Sequence, residues 1–77
     1  MVITVKEAEK FTRSLQKLDK SYLDRVEKLI IKIKENPEIG KPMRNVRKGT
    51  REVYISPFRL SYAYDKTNNI ILILDFY

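Results

Sequence analysis

Residues 41–65, KPMRNVRKGTREVYISPFRLSYAYD, decide the fold of this chain. A basic segment comes first, followed by two runs in which apolar and polar residues alternate on either side of Ser56-Pro57. Alternation with a period of two is typical of strands with one buried face, and a tight turn between two such runs predicts a β-hairpin. In the first run Val53 and Ile55 would face the core.

The segments outside this hairpin predict one further strand on each side of a pair of helices. Residues 2–5 are β-branched and apolar, which favours a strand. Two amphipathic segments follow, one from about Glu7 to Leu18 and one ending near Glu35, where Asn36-Pro37 stops the helix. The second has good N-cap residues in Asp19 and Ser21, and Ser21 with Asp24 resembles a capping box. Residues 70–74 are apolar on both faces, as in a central strand.

The order strand, helix, helix and three strands predicts an α+β fold. We expect the helical hairpin to pack on one face of a small, mostly antiparallel sheet, within a single domain that spans residues 1–77.

Composition limits the chemistry that this chain can perform. The chain contains no histidine and no cysteine, so thiolate metal sites, zinc sites and histidine acid–base pairs are unavailable. We expect no metal and no cofactor. No apolar run is long enough to span a membrane, and no signal-peptide pattern is present, so the sequence predicts a soluble, cytoplasmic protein.

Positive charge is concentrated in the second half of the chain. The formal net charge is +6, and residues 39–77 contain seven bases but only three acids. Cations beside a sheet face favour a phosphate backbone as partner. The candidate RNA-binding residues are the cations of the segment before the hairpin: Lys41, Arg44, Arg47 and Lys48. The alternative is that this segment is an ordinary solvated loop.

Two residues of the hairpin are candidates for a functional face. Arg59 comes directly after the turn, beside the small residue Ser61, so its guanidinium could reach a ligand. The alternative is an ion pair with Glu52 or Asp75. Tyr54 projects opposite to the inward-facing residues and could stack on a base or donate a proton, although many strand tyrosines only flank a core.

Several motifs resemble the RelE/ParE superfamily of toxins from toxin–antitoxin systems. They are GTREVYI at 49–55, FRLSY at 58–62, the helix stop at 35–37 and the apolar segment from 70 to 77. The resemblance covers essentially the whole chain and rests as much on the order of elements as on the motifs.

The resemblance to the RelE branch implies a toxin that is neutralised by a cognate antitoxin and that cuts mRNA on the ribosome. The 2′-hydroxyl attacks the adjacent phosphate without a metal, so the chain would be a metal-independent endoribonuclease. Arg59 matches the family's strand arginine and would stabilise the charge of the transition state.

The chain departs from the RelE pattern at two places, which leaves alternatives open. Basic residues are common before the turn, where this chain has Glu52 and Tyr54, so Arg51 or cations of the preceding segment would substitute. Members usually continue into a basic tail that ends in a catalytic tyrosine, so either Tyr77 takes that role or the site is incomplete. Together with the possible proton donor Tyr54, the resemblance gives four candidate catalytic residues, namely Arg51, Tyr54, Arg59 and Tyr77. The alternatives are a ParE-like toxin that inhibits DNA gyrase and a catalytically impaired homologue that only binds RNA or an antitoxin.

Overall fold

The computed structural model describes residues 2–42 and 49–77. Two helices and five strands occur in these ranges. In chain order they are β1 (Thr4–Glu7), α1 (Glu9–Leu15), α2 (Lys20–Glu35), β2 (Lys41–Pro42), β3 (Thr50–Ile55), β4 (Phe58–Asp65) and β5 (Ile70–Phe76).

The five strands form one mixed sheet in the order β1-β5-β4-β3-β2. β1 pairs with β5 in parallel, whereas the three other pairs are antiparallel. β5 therefore lies between two strands, which explains why residues 70–74 are apolar on both faces. The predicted α+β class is confirmed, and so is the packing of both helices against the sheet.

The structure differs from the sequence prediction at four elements. β1 covers Thr4–Glu7 instead of residues 2–5. Lys41 and Pro42 form the short strand β2 against β3, so four strands follow the helices instead of three. A two-residue strand has no periodicity that a sequence pattern could reveal. α1 ends at Leu15, before the predicted end of its apolar stripe. The N-cap of α2 is Asp19, so the capping box predicted at Ser21 is wrong: Ser21 already lies inside the helix.

The sheet has two faces of different character, which we call the helix face and the open face. The helix face contributes Leu60, Tyr62, Ile71 and Ile73 to a buried core that also contains residues of both helices. Because side chains alternate along a strand, the intervening residues of β3 and β4 point to the open face, away from the helices. The hairpin therefore directs Glu52, Tyr54, Arg59 and Ser61 toward the open face, and of these Ser61 is fully buried by its neighbours.

Tyr62 fixes the segment that follows α2, residues 37–40, against the sheet. Its hydroxyl donates to the carbonyl oxygen of Pro37 at 2.8 Å and accepts from the backbone N–H of Gly40 at 3.0 Å. A Cβ at Gly40 would lie 2.9 Å from that hydroxyl, so the residue must be small. Burial raises the pKa of the Tyr62 phenol above its usual 10.0, although the Gly40 hydrogen bond opposes this shift.

We expect Tyr62→Phe to lower the free energy of unfolding by roughly 1–3 kcal/mol, because the substitution leaves the buried N–H of Gly40 and the carbonyl of Pro37 without a partner. Urea denaturation at neutral pH measures this difference. Tyr64→Phe is the matched control, since Tyr64 is a partly buried tyrosine of the same strand.

Alkaline pH should reduce the difference in unfolding free energy between the parent and Tyr62→Phe. Above pH 10 the unfolded parent loses the phenol proton first, because the pKa of Tyr62 is raised in the folded state. The parent therefore loses stability as the pH rises through this region, whereas the variant has no such proton to lose. If the difference in unfolding free energy between the parent and Tyr62→Phe stayed constant or widened between pH 8 and pH 11, the phenol of Tyr62 would not be buried in the folded state.

Candidate functional site

Three side chains form a row across the open face at one end of the sheet. Tyr54 is paired with Arg59 in the β3–β4 ladder. Tyr77, one residue beyond β5, exchanges two backbone hydrogen bonds with Arg59, with N···O distances of 2.6 and 2.9 Å. Residues that are paired in this way point to the same face, so Tyr54, Arg59 and Tyr77 lie side by side on three adjacent strands.

Glu52 joins two members of this row. Its carboxylate accepts a hydrogen bond from the Tyr77 hydroxyl and lies 3.8 Å from the nearest guanidinium nitrogen of Arg59. The Arg59 side chain remains 57% exposed, whereas the Glu52 side chain is only 20% exposed. A pair of this length with one exposed partner contributes only about 0–1 kcal/mol to stability. The exposed guanidinium of Arg59 can therefore also contact an external anion.

A β-bulge in β5 determines that Tyr77 reaches this row. The register with β4 shifts between Ser61 and Tyr62, so that Tyr62 pairs with Ile73 while Ser61 pairs with Asp75. Without the extra residue, Phe76 would stand opposite Arg59 on the open face. With the bulge, Phe76 is buried in the core and Tyr77 stands opposite Arg59. Bulges commonly redirect side chains in this way beside functional sites.

A shallow depression of about 400 Å³ lies beside Tyr54 and Arg59 of this row. It is lined by Ile39, Lys41, Glu52, Val53, Tyr54 and Arg59. Tyr54 is 67% exposed, so the ring offers a flat surface for an unpaired base. The depression combines two cations, one carboxylate and an aromatic ring, which suits a short segment of single-stranded RNA.

The structure does not bring Arg51 into this site. Arg51 is paired with Tyr62 and therefore lies on the helix side of the sheet. Its guanidinium donates to the carbonyl oxygens of Glu38 and Gly40 at 3.1 and 2.8 Å. Arg51 therefore holds residues 37–40 in place. Its catalytic role stays a prediction, which this geometry does not favour.

Of the four cations predicted to bind RNA, the structure places one. Lys41 is paired with Glu52 in the β2–β3 ladder, and it borders the depression at the open face. Arg44, Arg47 and Lys48 lie outside the described residues, and their predicted roles stay predictions.

Glu52 and Asp75, the two carboxylates considered as partners of Arg59, each form an ion pair. Arg59 pairs with Glu52, one of the two partners that the sequence offered, and Asp75 pairs instead with Lys10 of α1 at 3.2 Å. What sequence reasoning missed is that Glu52 connects Arg59 with Tyr77. The alternation in β3 placed Glu52 on the same face as Tyr54, so the position of Glu52 could be predicted. No pattern in the sequence indicated the position of Tyr77.

Within residues 2–42 and 49–77, no cluster of carboxylates is large enough to hold a metal ion. The polar side chains of the described site are Arg59, Glu52, Tyr54 and Tyr77. The same ranges contain no helix that is long and apolar enough to cross a membrane.

Several solved toxin structures are similar to this chain over nearly its full length. The toxin–antitoxin complex RelBE2 from Mycobacterium tuberculosis contains a chain that matches with a TM-score of 0.88 and 27% identity, over 99% of this chain and 96% of that chain. The intact Escherichia coli RelBE complex matches with a TM-score of 0.83 and 13% identity, over 96% and 93% of the two chains. The archaeal RelE–RelB complex from Pyrococcus horikoshii matches with a TM-score of 0.80 and 18% identity, over 99% and 93%.

No curated protein sequence matches the chain significantly. Comparison with protein-family models, in contrast, agrees with the structural matches. The model of the family described as ParE toxin of type II toxin–antitoxin system, parDE, matches residues 3–77. Together with the fold, this match shows that the chain belongs to the ParE toxin family of type II toxin–antitoxin systems, within the RelE/ParE superfamily.

Proposed function

We propose that this toxin is a ribosome-dependent mRNA endoribonuclease that blocks translation. The convergence of Arg59, Glu52 and Tyr77 on the open face carries the proposal, because these groups supply a cation, a proton acceptor and a proton donor. Tyr54 adds an exposed aromatic surface beside them. An enzyme of this kind would act in the cytoplasm, where ribosomes and mRNA occur.

The proposed cleavage needs one displacement at phosphorus. The 2′-oxygen of a nucleotide attacks the adjacent phosphate, the P–O5′ bond breaks, and a 2′,3′-cyclic phosphate remains. Glu52 takes the proton of the 2′-hydroxyl, and the Tyr77 hydroxyl gives a proton to the leaving 5′-oxygen. The hydrogen bond between these two side chains then returns the proton from Glu52 to Tyr77.

Arg59 acts on the charge that builds up during this displacement. Negative charge accumulates on the non-bridging oxygens as the new bond forms, and a guanidinium held beside them stabilises the transition state more than the substrate. Two backbone hydrogen bonds to Tyr77 and the nearby Glu52 carboxylate position the Arg59 side chain before RNA binds.

A cognate antitoxin is the partner that we propose for the free toxin. The similar toxins from three organisms were crystallised with RelB antitoxins. An antitoxin segment that covers the open face would need acidic residues to complement Arg59 and Lys41. Such a segment would exclude RNA from the depression.

Inhibition of DNA gyrase is the second candidate function. The Glu52 carboxylate lies beside Arg59 and weakens the positive potential at the place where a phosphate would bind. A face with this mixture of charges also suits a protein partner, and the matching family model describes ParE toxins.

One experiment separates the two functions. The purified toxin is added to ribosomes programmed with a defined mRNA, and primer extension locates new 5′ ends. In parallel, gyrase is assayed for supercoiling with the same toxin preparation. We expect cleavage within the ribosome-bound codons and unchanged supercoiling. Loss of supercoiling without mRNA cleavage would refute the ribonuclease proposal and support the second candidate.

A further inference from the structure

A row of three cations runs along one flank of α2. Arg25, Lys28 and Lys32 are spaced by three and four residues, which places them on one side of a helix. They line a depression of about 270 Å³ whose other wall is the end of β3 and the turn after it, at Tyr54, Ile55 and Ser56. We call this row the α2 cation row.

No described carboxylate lies within ion-pairing distance of the α2 cation row. None of the described residues that line this depression is acidic. Across the described ranges, none of the ion pairs involves Lys28, Lys32 or Arg25. The Arg25 guanidinium lies over the Tyr22 ring, 5.4 Å from its centre. The side chains of Lys28 and Lys32 are therefore less constrained than that of Arg25.

The opposite flank of α2 has a different charge pattern, so the α2 cation row is confined to one side of the helix. There Glu27 and Lys34 line a depression together with Val5 and Glu7 of β1. Acids and bases alternate on that flank, as is usual for a solvated helix surface. A polyanion would therefore favour the side that faces the β3–β4 turn.

Tyr54 connects the α2 cation row with the candidate catalytic site. Tyr54 lines both the depression that contains Arg59 and the depression that contains Lys28 and Lys32. The two depressions are therefore neighbours that share one exposed aromatic residue. Cations that follow a groove, with an aromatic side chain on which a base stacks, are the arrangement that binds single-stranded nucleic acid.

We propose that the α2 cation row binds the phosphates of the same RNA strand whose scissile phosphate lies at Arg59. The strand leaves the Arg59 depression, stacks a base on Tyr54 and continues along Lys28 and Lys32. This inference rests on the proposed function and adds to it a second subsite, which gives affinity without taking part in the chemistry.

The test compares two double variants that remove the same charge from opposite flanks of α2. Lys28→Ala with Lys32→Ala removes two cations of the row. Lys20→Ala with Lys34→Ala removes two lysines from the other flank, since Lys20 and Lys34 each stand seven residues from Glu27. Both pairs change the net charge by the same amount. The ligand is a fully 2′-O-methylated RNA of about 12 nucleotides, which is long enough for both depressions and resists cleavage.

We expect the Lys28 and Lys32 variant to bind this RNA about tenfold more weakly near physiological salt. The slope of log affinity against log salt should fall by about 1.4, which corresponds to two phosphate contacts on a single strand. The Lys20 and Lys34 variant should stay within about twofold of the parent. Equal weakening by both pairs would overturn the proposal, because it would show only a general effect of net charge.

A dinucleotide probe distinguishes failure of this subsite from failure of the proposed function. A methylated dinucleotide fills only the Arg59 depression, so the Lys28 and Lys32 variant should bind it as the parent does. Arg59→Ala should weaken both the dinucleotide and the longer RNA. If Arg59→Ala weakens both ligands but the row variant affects neither, the subsite is refuted while the proposed function stands. If the row variant weakens the dinucleotide as strongly as the longer RNA, the row does not follow a continuing strand, and the proposal also fails.

Discussion

Arg59→Ala is expected to reduce mRNA cleavage by about 100- to 1000-fold, because removing one preorganised donor to a developing oxyanion has effects of this size. That loss corresponds to roughly 3–4 kcal/mol of transition-state stabilisation. Arg59 is exposed and its ion pair with Glu52 is long, so the substitution should lower the free energy of unfolding by no more than about 1 kcal/mol. The fold and the activity should therefore separate in this variant.

Arg13→Ala is the matched control for Arg59→Ala. Arg13 is also an exposed arginine that pairs with a glutamate, but it lies on α1, four residues from its partner Glu9. Primer extension on programmed ribosomes and thermal melting are measured for both variants. An Arg59→Ala protein that melts normally and cleaves at the parent rate would remove Arg59 from the site. Arg59→Lys should recover only part of the rate, since an ammonium group keeps the charge but not the planar fork.

Phe11→Ala should have the largest effect on stability, with a loss of about 3–5 kcal/mol. α1 has only seven residues, and Phe11 is its buried residue. A helix of this length is not stable alone in water, so packing must hold it in place. A domain of this size has a total stability of roughly 4–11 kcal/mol, so the variant should be close to unfolding at physiological temperature.

Urea denaturation followed by circular dichroism measures this effect. Arg13→Ala again serves as control on the same helix, and it should change stability by no more than about 0.5 kcal/mol. If Phe11→Ala lost less than about 1 kcal/mol, α1 would not be anchored through its aromatic ring. Binding of the methylated dinucleotide below the melting temperature reports whether the open face survives.

The sequence predicted the two faces of the hairpin because burial follows a period of two. Val53 and Ile55 identify the inner face of β3, and this leaves Glu52 and Tyr54 on the open face. The same rule places Arg51 with Val53 on the inner side, so the signal that Arg51 points away from Arg59 was present in the sequence. The catalytic role of Arg51 was implied by the resemblance alone, which carries no information about the direction of its side chain.

Other features of the site depend on contacts between distant residues and leave no local pattern. Tyr77 stands opposite Arg59 only because the bulge in β5 shifts the register by one residue, and a register is a property of two strands. The pairing of Lys41 with Glu52 joins residues on either side of a long connection. Likewise, nothing near Tyr62 in the sequence indicates that its hydroxyl binds Pro37 and Gly40.

The parallel pairing of β1 with β5 has a consequence for the order in which the chain folds. Thr4 pairs with Ile70, so β1 pairs with a strand that is remote from it in sequence. Closing so long a loop is entropically costly, whereas β3, β4 and β5 can join through short turns. We therefore expect these three strands to pair first during refolding and β1 to be added last. Pulsed hydrogen exchange during refolding from urea should protect the amides of β4 before those of β1, and the opposite order would contradict this. Because β1 is an edge strand of the sheet, its late addition would leave the row of Tyr54, Arg59 and Tyr77 already in place.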